Sequence, residues 1–193
     1  MRTQFRDARG QSVVEMAMIL PLLVIVVLGV VEVSYALLDQ HVVTKLTREG
    51  SNLISRDTSL ADAANALKNM SGRPVDFTTN SRMILSVVRR GATTGTTNYN
   101  KDVLYERYEY GAITGTSKLS TLGSGSYGTA PDYAATNPDG DANIQVTNLP
   151  AGITLSPGGT LYITEIFTNH ELITPFDKFG VTVPKTLYSI AYF

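Results

Sequence analysis

The chain carries a run of nineteen residues, 13–31 (VVEMAMILPLLVIVVLGVV), in which Glu15 is the only charged member. As a helix rising about 1.5 Å per residue, this run is roughly 28 Å long, close to one hydrocarbon thickness. The leader before it, MRTQFRDARG, sets Arg2, Arg6 and Arg9 against a single Asp7. That surplus of arginine predicts a cytoplasmic N-terminus, a membrane-spanning helix and the remainder of the chain outside. Glu15 is the anomaly in this plan. A carboxylate near hydrocarbon costs a few kcal/mol, so its presence asks for a function. A secretory signal peptide is the alternative reading, with Ser34-Tyr35-Ala36 as its cleavage site. The run is longer than most signal cores, and it carries Glu15 and Pro21.

Pro21 removes a helical hydrogen bond and predicts a bend, which a membrane helix tolerates. Such a bend is either a point of give when the helix changes surroundings or an inert kink. Gly29 offers a site of close helix approach. Glu32 ends the apolar run at the outer interface, and Tyr35 follows as an aromatic anchor. Beyond it, Leu38, Val42, Leu46, Gly50 and Leu53 recur at three to four residues, with Val43 and Ile54 alongside. This amphipathic stripe extends the helix to about residue 55, apolar on all sides in its first half and on one face in its second.

A second helix is expected over residues 60–70, opened by Ser59 with Asp62 in a capping-box spacing and closed by Gly72 and Arg73-Pro74. Candidate strands follow at 82–89, 103–110, 143–149, 161–168 and 186–193, rich in Val, Ile, Thr, Tyr and Phe. Their lengths suit an antiparallel sheet packed on the helical stripe, an α+β fold. Residues 91–98 and 111–129 are full of Gly, Ser and Thr and read as solvated surface loops.

Composition excludes several functions. With no cysteine, the chain has no disulfide, no thiolate metal site and no cysteine nucleophile. No basic field is available for nucleic acid. His41 and His170 are the only histidines and lack metal-ligand spacing. Gly123-Ser124-Gly125-Ser126-Tyr127 is a glycine run rather than a nucleophile elbow. Asp139, Asp141 and Asn143 alternate as in a calcium loop, but the closing glutamate is missing, so an Asp/Gly turn accounts for them. No catalytic residue, metal ligand or cofactor is expected.

The leader junction GQSVVE, Gly10 to Glu15, resembles that of type IV pilin-like proteins. The first quarter of the chain is similar to the TadE-like minor pseudopilins of the tight-adherence (Tad/Flp) pilus. The resemblance rests on Gly10 and Glu15, Pro21, Gly29 and Glu32, and Arg48-Glu49-Gly50. It extends loosely to the late segment LYITEIFTNHELITPF, Leu161 to Phe176. It implies cleavage by a prepilin peptidase between Gly10 and Gln11. The implied domains are a cytoplasmic leader (1–10), a transmembrane helix half (11–35) and an extracytoplasmic pilin-like domain (36–193). Implied partners are the peptidase, other pilin or pseudopilin subunits, the inner-membrane assembly machinery and the lipid bilayer.

Cleavage would remove three arginines and one aspartate, taking the formal net charge from −1 to −3. It would also create an α-amine at Gln11 with an ordinary pKa of about 8. Between subunits shifted along a fibre, that amine can reach the Glu15 carboxylate of a neighbour, so both charges leave water paired. Alternatively, Glu15 snorkels to the headgroups or favours the helix start. Two other functional classes stay open: an uncleaved, membrane-anchored binding domain beginning at Met1, and a protein released after Ala36.

Overall fold

The computed structural model describes residues 4–119, 122–175, 178 and 185–193. Arg2 of the leader, Ser120 and Thr121 of the long loop and Phe176 of the late segment lie outside these residues, as do the side chains of residues 4–9. The elements are α1 (Gln4–Ile54), α2 (Leu60–Met70), β1 (Ser81–Arg90), β2 (Asp102–Gly111), β3 (Asp132–Ala134), β4 (Thr160–Asn169) and β5 (Thr186–Tyr192). The fold is α+β, a long N-terminal helix and a five-stranded antiparallel sheet in the order β3-β2-β1-β4-β5. Two compact units divide the chain: Met1–Leu38 with Glu171–Pro184, and Asp39–His170 with Lys185–Phe193.

In the second unit, α2 and the last four turns of α1 cover one face of the sheet. Val43, Leu46 and Ile54 of α1 and Leu60, Ala63, Ala64 and Leu67 of α2 bury against Met83, Leu85 and Val87 of β1, Tyr108 of β2 and Ile166 of β4. The buried stripe of α1 is rotated from the expected one. Leu38 is exposed and Val42 and Leu53 are only half-buried, while Thr47 and Ser51 are fully inside. Hydrogen bonding resolves the difference. Thr47 Oγ1 donates to the Val43 carbonyl at 2.7 Å, and Ser51 Oγ donates to the Ala191 carbonyl of β5 at 3.0 Å. Two satisfied hydroxyls are inexpensive to bury, and their small size lets the helix lie close to the strands.

The second helix spans the expected residues. Ser59 Oγ accepts the Asp62 N–H at 3.1 Å, as an N-cap does. The reciprocal half of the capping box is absent, because the shorter aspartate instead accepts the Ser59 hydroxyl at 2.7 Å. The end is an extended Ser71 rather than a left-handed glycine.

Four of the five expected strands form, but 143–149 does not. The Asp141 side chain accepts the Asn143 N–H at 2.9 Å and draws the chain into a 3-10 turn, Ala142–Ile144, leaving one bridge between Val103 and Gln145. The outer edge of β2 is taken instead by the three-residue β3, paired at Glu106 to Tyr108.

The loops are not simply solvated. Leu119, Leu122 and Tyr127 from one, with Val146, Leu149, Ile153 and Leu155 from the other side, pack over Val88, Leu104, Leu161 and Ile163 on the second sheet face. Beneath them lies a buried polar row. Arg107 Nε donates to Ser86 Oγ at 3.1 Å and Nη2 to Ser117 Oγ at 3.3 Å. Glu165 accepts the Ser117 hydroxyl, the Lys118 N–H at 2.8 Å and the Tyr188 hydroxyl at 2.7 Å. Burial draws Arg107 below the usual guanidinium range, opposed by the carboxylates of Glu109 and Glu165. The composition of 111–129 reads as loose because its few anchors are diluted by Gly, Ser and Thr.

Candidate membrane and assembly segment

The first unit contains the helix stretch to which the sequence assigns function. From Gly10 to Ile54, α1 is long and apolar enough to cross a membrane, and none of its most apolar window is buried by protein. Met18, Ile19, Leu20, Leu22 and Leu23 are all more than half exposed. Residues adjacent in a helix point about 100° apart, and every residue from 10 to 27 is exposed, so no side of the helix is covered over that stretch. A helix of this kind finds its apolar surroundings in lipid or in other chains.

Gly10 lies within α1, exposed, with open space where a Cβ would stand. The next residue, Gln11, donates through Nε2 to Glu15 Oε1 at 3.0 Å, an i,i+4 contact between exposed groups. Glu15 thus has an amide neighbour on its own helix at the boundary of the apolar surface. Pro21 sits inside the same helix and takes no part as a donor, leaving the Ala17 carbonyl without its intrahelical partner. Ser34 Oγ donates back to the Val30 carbonyl at 2.7 Å, and Tyr35 is exposed.

Glu32 is positioned differently from Glu15. It is 4% exposed. Its carboxylate accepts the Ile173 N–H at 3.2 Å, the Thr174 N–H at 2.8 Å and the Thr174 hydroxyl at 2.5 Å. Gly29, one turn earlier, is half-buried. The turn after β4 is therefore fastened to the helix by an acid whose position suggested only an interface marker. The sequence shows both partners, but nothing in it joins residues 142 positions apart.

The remaining candidates resolve into structural contacts. His170, 131 positions from Asp39, meets it through Nδ1 at 2.7 Å and is 3% exposed. His41 is exposed on α1. In the PDGDAN turn, Asp141 accepts the backbone N–H groups of Ser126 and Asn143, which holds its carboxyl below the usual range. Among the described residues, no group of three or more His, Asp and Glu side chains converges as a metal site would.

A family model described as TadE-like protein matches residues 10–52. The match begins at Gly10, includes Glu15, Pro21, Glu32 and Tyr35, and closes just past Gly50. No curated protein and no solved structure matches the chain.

Proposed function

The chain carries a TadE-like segment over residues 10–52, and we propose that it is a minor pilin-like, non-catalytic subunit acting in assembly of a Tad/Flp-type pilus. The observation that carries this reading is the apolar helix stretch exposed on every side from residue 10 to 27, with Glu15 near its N-terminal end. In this reading α1 anchors the chain in the inner membrane, N-terminus inward, before it joins its assembly; the length and apolarity of α1 support the anchoring.

Processing falls between Gly10 and Gln11. A peptidase takes its substrate extended, so the helix must fray there. Glycine eases this, being about 1 kcal/mol poorer than alanine in a helix. The cut frees the Gln11 amine, and Glu15 of a neighbouring subunit receives it when α1 exchanges lipid for other helices. Pro21 gives the helix a local weakness during that exchange. The partners are the prepilin peptidase, other pilin or pseudopilin helices, the inner-membrane assembly machinery and the bilayer.

Sequencing the N-terminus of the protein isolated from its native membrane tests the reading. Gln11 is expected. Met1 would identify an uncleaved anchored domain, and Leu37 a secreted protein; either overturns the proposal. Replacing Gly10 by a bulkier residue should leave Met1 in place.

A further inference from the structure

We propose that the turn at residues 172–175 enters the outer leaflet together with Glu32, so that this protein meets lipid through a second segment besides its helix. The inference rests on the reading that α1 spans the membrane. Glu15 and Glu32 lie seventeen residues apart on one continuous helix. That is about 26 Å along the axis, against a hydrocarbon core of about 30 Å. Tilting the helix shortens the projected distance further. The two carboxylates therefore cannot both attach outside an undeformed hydrocarbon layer, and at least one belongs to its depth.

The structure distinguishes them. Glu15 is exposed beside the basic leader, where headgroups and water are near. Glu32 is nearly sealed and takes two backbone N–H groups and one hydroxyl from the turn. A carboxylate in hydrocarbon needs this kind of satisfaction, and an irregular backbone at membrane depth needs its N–H groups satisfied in the same way. Each answers the other's need.

The surfaces agree. Apolar exposure on α1 does not stop at Glu32: Val33, Leu37 and Leu38 are all more than half exposed, and the first charged residue beyond is Asp39. The lipid-compatible surface thus continues about 9 Å past Glu32. The turn is sided to match. Thr174 points inward and is buried, whereas Ile173 is 56% exposed and Pro175 is exposed. The turn thus keeps the Ile173 and Thr174 N–H groups and the Thr174 hydroxyl on Glu32 and offers Ile173 and Pro175 outward.

The chain has no cysteine, so single-site labelling tests this directly. The full chain is placed in vesicles of phosphatidylcholine and phosphatidylglycerol, with an environment-sensitive fluorophore on I173C, V24C or T94C. The expected result is blue-shifted emission at 173, strong quenching by lipids spin-labelled near the headgroup, and iodide quenching several-fold weaker than at 94. Position 24 should be quenched best by lipids labelled deep in the chain. In an E32A background the lipid quenching at 173 should be lost while that at 24 is kept. A probe at 173 as open to iodide as the one at 94, with 24 still in lipid, overturns the inference and leaves the spanning helix intact. A probe at 24 in water overturns the spanning reading and this inference with it.

Discussion

Gly50 of α1 and Thr164 of β4 lie so close that a Cβ on the glycine would stand 2.8 Å from the threonine methyl and 2.9 Å from its hydroxyl. Leu67 of α2 closes the same space at 3.0 Å. The third residue of Arg48-Glu49-Gly50 therefore has a packing reason: it sets how near the helix lies to the sheet. G50A should cost about 1–3 kcal/mol through overpacking, offset by up to about 1 kcal/mol of helix propensity. The β-branched Thr164 cannot rotate both of its groups away. A fall in the unfolding midpoint of a few degrees is expected in detergent-solubilised full chain, and a larger one for G50V. An unchanged midpoint for G50V would show that the helix does not lie this close.

Thr164 makes an independent test. Its Oγ1 is buried with no hydrogen-bond partner among the described residues. Valine has nearly the same shape and removes the unsatisfied hydroxyl. T164V should raise stability by about 1 kcal/mol, read as a higher midpoint in the same thermal scan. Destabilisation would mean that the hydroxyl has a partner.

Glu106 predicts a pH dependence. Burial, then the neighbouring Asp132 carboxylate, raises its pKa above 4.5. The folded state thus holds its proton more tightly than the unfolded chain does. The stability this gives is complete below the unfolded value and is lost as pH rises through the higher folded one. E106Q, which is neutral at every pH, should melt above the parent at pH 7, with the gap closing as pH falls below about 4. A gap that stays constant with pH would contradict this assignment.

The polar row beneath the long loop predicts graded effects. Removing the Glu165 carboxylate takes away one of the two carboxylates that oppose the burial of Arg107, the other being Glu109 at 3.9 Å. E165A should lose about 3–5 kcal/mol, the usual result of breaking a buried charged network from one side. S117A removes one shared hydroxyl and should lose nearer 1 kcal/mol. Its clearer sign is faster proteolysis within residues 112–130, because Ser117 ties that loop to the sheet. Equal proteolysis of S117A and the parent would show that the apolar anchors hold the loop without it.

What the sequence displayed and what it withheld divide along physical lines. Apolar periodicity is local, so residues 13–31 and Leu60–Met70 were legible, and β-branched runs marked four strands within a residue or two. The strand at β3 was not, because DYA carries no pattern; it forms only where β2 offers an open edge. Residues 143–149 looked like a strand until Asp141 competed for the Asn143 N–H. The stripe on α1 was read from its largest apolar residues, yet small hydroxyl residues and Gly50 face the sheet because backbone proximity selects for them. In the apolar segment of α1, the positions of Gly10, Glu15 and Pro21 come from local grammar. The Glu32–Thr174 contact could not, since it depends on how the chain returns after β4.

Glu15 supplies the sharpest test of the assembly role proposed for it. Leucine at this position preserves helix propensity and lowers the free energy of inserting α1 into lipid. E15L should therefore reach the membrane and be cut after Gly10 at least as well as the parent. Its free Gln11 amine, however, would enter a helix–helix interface without a counter-charge, and an unpaired buried charge is destabilising by several kcal/mol. Incorporation into the pilus assembly should fall at least tenfold, measured by co-purification of cross-linked subunits from sheared and membrane fractions. E15D, which retains the charge on a shorter arm, should recover part of that loss. If E15L assembles as the parent does while carrying a processed N-terminus, the carboxylate has no part in joining subunits, and its contact with Gln11 Nε2 at 3.0 Å is only local helix chemistry.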